Sequence, residues 1–143
     1  MQQLSTLLLL VPLIACNPGQ KQNKQQEAGN IVRQTTEFEF TKEIHNFDEL
    51  EAGEIAVFSF VFTNTGENNL WIDAVDAGCG CVQASYPQKP VKPGKVGEIE
   101  LEFNSSGLYG KQMKTITVEA NVPKPKHLAI FAEVKNEQLK IKY

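Results

Sequence analysis

The sequence is poor in the residues that carry most catalysis and metal binding. It has 2 histidines and 3 cysteines in 143 residues, and those cysteines are unevenly placed. His45 and His127 have no ligand-spaced partner, so a complete zinc site is not expected. No nucleophile elbow accompanies the serines, and no glycine-rich phosphate loop precedes a helical pattern. The net charge is only −3, with no clustered basic face, so nucleic acid is not expected as a partner. No run approaches the roughly 20 apolar residues of a membrane-spanning helix. No helical stripe of useful length appears either. No lysine or arginine precedes Lys21. The amino terminus is then the sole positive charge ahead of the first apolar run, or the true start lies elsewhere.

That apolar run, residues 7–16, has the size and place of a signal-peptide apolar region. It ends in Leu13-Ile14-Ala15-Cys16, which resembles the lipobox of bacterial lipoproteins. The resemblance implies diacylglyceryl transfer to the Cys16 sulfur and cleavage after Ala15. Each buried methylene contributes roughly 0.8 kcal/mol, so two or three chains hold where one only visits. Asn17 follows, not aspartate, so the inner-membrane retention signal of enteric bacteria is absent. Residues 17–26 also lack the acidic patch usual in surface-exported lipoproteins of Bacteroidetes-type bacteria. The location expected from these signals is the bacterial envelope, on the outer membrane facing the periplasm. The covalent lipid on Cys16 is its only expected added group. The expected division is a signal peptide at 1–15, a lipidated cysteine with a disordered polar tether at 16–35, and a folded domain at 36–143. The tether is rich in Gln, Asn, Lys and Gly, and too poor in apolar residues to offset the entropy of ordering. At about 18 residues its mean reach is roughly 20–25 Å.

From Glu37 the pattern turns to period two. Phe38 and Phe40 alternate with Glu37, Glu39 and Thr41; Ile99, Leu101 and Phe103 alternate with Glu98, Glu100 and Glu102. Those glutamates read as a solvated strand face, not as paired catalytic carboxylates. Residues 55–63 are nearly continuous: Phe58, Phe60 and Phe62 on one face, Val57 and Val61 on the other. Such a strand is expected to be covered on both faces. Further strands read at residues 115–119 and 128–134. Turn residues at 64–66, 93–94, 105–107 and 121–123 separate the runs. Short strands at this spacing predict an all-β fold, an Ig-like antiparallel β-sandwich of about seven strands. Trp71 reads as core or sandwich rim.

Several motifs in order resemble a bacterial family known only as domain of unknown function fifteen-seventy-three. They are Phe60-Val61-Phe62-Thr63-Asn64-Thr65-Gly66, Leu70-Trp71-Ile72 and Gly78-Cys79-Gly80-Cys81, with Val82 where the family often has threonine. Tyr86-Pro87, Pro90-Val91-Lys92-Pro93-Gly94, Gly97-Glu98-Ile99, Phe103-Asn104-Ser105 and Lys114-Thr115-Ile116-Thr117-Val118 with Asn121 follow. The resemblance covers residues 44–134. It implies an Ig-like sandwich of the Hydin type and no established activity.

Cys79 and Cys81 are the one candidate chemical site. Two residues apart in a strand, their Cα atoms lie near the upper limit for a disulfide, so a bond needs a local turn that Gly80 allows. So small a ring would be strained and easily reduced. The pair could be a structural bridge, a redox couple or a soft-ion site for Cu(I). The favoured function is a non-enzymatic envelope module for a protein or polymer partner. A thiol-redox or copper-handling role is one alternative. A glycan-binding accessory role resting on exposed Trp71, Tyr86 and Tyr109 is the other.

Overall fold

A computed structural model describes residues 33–136. Cys16, the signal peptide and most of the tether lie outside them. Eight strands follow in order: β1 (Phe38–Phe40), β2 (Ile44–Glu51), β3 (Ile55–Asn64), β4 (Ile72–Asp76), β5 (Val82–Ser85), β6 (Val96–Asn104), β7 (Gly110–Ala120) and β8 (Lys126–Lys135). They form two four-stranded sheets, β1-β3-β6-β5 and β2-β8-β7-β4, stacked as a sandwich. The first five strands alternate between the sheets, so most connections cross from one layer to the other at the two ends.

The fold is the expected Ig-like β-sandwich with two refinements. There are eight strands, and one pairing, β2 with β8, is parallel. β2 carries little periodic signal because a bulge between Asn46 and Glu49 breaks its alternation. His45 and Phe47 face inward, then Leu50, a step of three. The extra residue is Asp48, at φ 58°, a conformation that short polar residues tolerate. Asn46 and Asp48 hold the kink with a side-chain hydrogen bond of 2.7 Å.

The core lies between the sheets. Phe60 and Phe62 of β3, Ile99, Leu101 and Phe103 of β6, and Ile116 and Val118 of β7 are essentially inaccessible. Each such side chain stabilises the fold by about 1.5–3 kcal/mol. β1 is only three residues long and is held by its rings. Phe38 meets Phe62 edge-on at 5.4 Å between centroids, and Phe40 meets Phe62 at 5.7 Å. The outward side of β3 departs from the sequence expectation. No layer among the described residues covers it. Ile55 and Val57 are 56% and 52% exposed, and Val61 39%.

Candidate functional site

Two of the shared motifs are turns at opposite ends of the sandwich. Asn64 closes β3, and its side chain is fully buried. Its amide donates to the carbonyls of Asn68 and Val91, both at 2.8 Å. Its oxygen accepts from the Gly66 N–H at 3.1 Å. The Thr36 hydroxyl is shared between that oxygen at 3.2 Å and the Asn68 carbonyl at 3.0 Å. A Cβ on Gly66 would stand 2.2 Å from Thr36 Oγ1 and 2.6 Å from the Glu37 backbone nitrogen. Only glycine fits where the incoming chain crosses.

The same end holds the first described residues. Asn121 donates to the Gln34 and Asn69 carbonyls and accepts from the Trp71 N–H at 2.7 Å. Arg33 pairs with Asp73 and lies over the Trp71 ring, 4.6 Å from its centre. Trp71 is therefore a half-buried rim residue, and its ring face is occupied.

The cysteine turn joins β4 to β5 at the far end. Cys79 and Cys81 form a disulfide with Cα atoms 5.3 Å apart. The turn that the bond needs runs through Gly80 and Cys81, after a bend at Gly78 and Cys79. Gly78 has φ 65°, and its N–H is capped by Asp76 Oδ1 at 2.8 Å. Gly80 is outside the left-handed region. An added Cβ there would meet nothing within 4 Å. Both cysteines are half-buried against the core rim, while Gly78 and Gly80 are exposed. A hydrogen bond from Asn104 N–H to Cys81 O, 2.9 Å, ties the turn to β6.

Ser105, next to Asn104, is fully buried. Its hydroxyl reaches the Glu51 and Glu54 carbonyls at 2.8 and 2.9 Å and accepts from Gly53 N–H at 3.0 Å. It braces the β2–β3 turn and is committed to that task. The histidines sit away from the cysteine turn. His127 opens β8 at the Asn64 end, opposite Thr117. His45 stacks on Phe58 with ring centres 3.6 Å apart. Burial against that ring, then repulsion from Lys42, lowers the His45 pKa below its usual 6.5; Asp48 opposes the shift. Tyr109 is 58% exposed beside β7 at the cysteine end, whereas Trp71 sits at the other end. These aromatics build no common platform.

The outer face of the β1 sheet is the other distinctive surface. Register sets Val57 opposite Glu102, Ser59 opposite Glu100 and Val61 opposite Glu98. Exposed Val96 extends the apolar row. No strand position on this face is basic: β1 adds Glu39, and β5 adds Gln83 and Ser85. The sequence shows each half of this surface but does not reveal that the valines are uncovered.

Residues 38–134 match the family described as Protein of unknown function (DUF1573). The chain belongs to this family. No curated protein matches the chain. Among solved structures, this DUF1573 chain is similar to a protein of unknown function from Porphyromonas gingivalis W83. That match has 17% identity and a TM-score of 0.62, and covers 76% of this chain and 51% of that one. The chain thus spans about half the length of that relative. It is also similar to the ASH / PapD-like domain 7 of human CEP192, at 14% identity and TM-score 0.56, covering 71% and 87%. The Vibrio cholerae VesB protease matches at 13% identity and TM-score 0.56, covering 69% of this chain and 32% of that one. These likenesses establish the sandwich fold. That it occurs in proteins so different shows that DUF1573 function must be argued from its surface.

Proposed function

We propose that the mature chain is a non-enzymatic envelope module, held to a bacterial membrane by lipid on Cys16 and facing the periplasm from the outer membrane. Its sandwich binds a partner protein across the outer face of β3 and β6. The observation that carries the binding reading is the uncovered row Ile55, Val57 and Val61 beside Glu98, Glu100 and Glu102. A solvated sheet face normally alternates to polar residues. Here the outward positions of β3 are largely apolar, and the middle of β6 sets Glu102, Glu100 and Glu98 beside Val57, Ser59 and Val61. An extended partner segment with both apolar and basic side chains matches that surface in hydrophobicity and charge. The PapD-like neighbour shows that this sandwich also occurs outside enzymes, and the binding reading rests on the surface.

Two measurements test this. Radioactive palmitate should label the intact chain in cells and fail to label Cys16→Ala; equal labelling would remove the anchor. A photo-crosslinking residue at position 57 should capture a discrete envelope protein, whereas one at Thr117 on the other sheet should not. Equal capture from both positions would remove the face.

A further inference from the structure

We propose that the Cys79–Cys81 disulfide is a reversible exchange site that takes two electrons from a protein dithiol. Two observations carry this. The bond closes a loop of sequence separation 2, so it constrains very little of the unfolded chain. A ring so small resists closure and favours the open dithiol, which makes it an oxidant relative to bridges across long loops. The site is reachable: it lies in a connection and not in a strand, both cysteines are only half-buried, and the space beside Gly80 is empty. A thiolate must approach a disulfide sulfur along the bond, so a half-buried pair in a connection is a better target than a bridge within the core.

The chemistry closes on itself. One partner thiolate attacks a sulfur of the pair, forming a mixed disulfide as the Cys79–Cys81 bond breaks. The released cysteine thiolate takes a proton. The partner's second thiol, deprotonated, then attacks its own sulfur in the mixed disulfide. This forms the partner's disulfide and frees the other cysteine, which is protonated in turn. Two electrons and two protons pass from partner to pair.

The probe is the full chain carrying Cys16→Ala, whose only cysteines are then 79 and 81. It is equilibrated in graded reduced and oxidised glutathione with a metal chelator present, trapped by alkylation and weighed intact. The expected result is a reversible conversion that reaches half-reduction within the glutathione range while circular dichroism stays native. A reduced peptide with two cysteines, added in equimolar amount to the oxidised chain, should leave as its disulfide. A second variant guards against misfolding. With Cys81→Ser also in place, Cys79 should form a mixed disulfide with oxidised glutathione in the native state. A pair that stays oxidised in excess reduced glutathione until denaturant unfolds the chain would overturn the proposal. So would a lone Cys79 that reacts only after unfolding.

Discussion

The turn at Asn64 and the turn at Cys79–Cys81 are both signature motifs, and both contain glycine, yet they are built for different ends. Around Asn64 each polar atom is bonded and the glycine is jammed against backbone. Around the cysteines the central glycine faces empty space and sits in an ordinary conformation. The first motif is explained by the fold it holds. The second is not. Loop-closure entropy for a three-residue ring comes to about 1.6 kcal/mol, far less than a bridge across a long loop supplies. A half-buried bridge in a surface connection that adds little stability is better explained by its chemistry.

This contrast can be broken by substitution. Asn64→Ala should have the largest effect. It removes four buried hydrogen bonds at once, those with the Asn68 and Val91 carbonyls, the Gly66 N–H and the Thr36 hydroxyl, costing about 3 kcal/mol in urea unfolding. Gly66→Ala should follow at about 2–3 kcal/mol, because β1 must move to make room. The double variant Cys79→Ser, Cys81→Ser should lose about 1.6 kcal/mol or less, a fall in melting temperature of about 10 °C at most. Gly80→Ala should stay within about 0.5 kcal/mol of the parent chain, as expected of an exposed site without strain. A loss at Gly80 equal to that at Gly66 would erase the distinction between the two turns.

A smaller effect sharpens the comparison through pH. The folded state disfavours protonated His45, so the unfolded chain binds that proton more readily. Stability should be flat above the unfolded pKa of about 6.5. It should then decline as pH falls through that value, levelling below the folded pKa. His45→Gln should remove this part of the pH dependence in a series of denaturant melts. It should leave the oxidation state of the cysteine turn unchanged.

Much of the scaffold was legible in the sequence. The alternation of Ile99, Leu101 and Phe103 with glutamates identified β6, and the phenylalanines of β3 identified the inward face. Period-two burial is a local property, so the residues themselves reveal it. What escaped depends on the third dimension. β2 hid because one residue at Asp48 shifts its parity. The valines of β3 seemed buried because apolarity tells what a residue prefers, not what covers it. Asn64 read as a turn residue, whereas its partners lie 28 and 27 positions away at Thr36 and Val91. The cysteine pair was legible as a bond needing a turn at Gly80, and the turn is there, but the left-handed residue that leads into it is Gly78. No spacing rule distinguishes those two glycines.

Native-state hydrogen exchange on the chain with its cysteine pair oxidised and then reduced tests the account most directly. Reduction should release only amides near residues 77–82 and the Asn104 N–H that bonds Cys81, with residues 62–70 as protected as before. Loss of protection spreading through β3 to the Asn64 turn would show the disulfide to be a structural bridge and contradict the account.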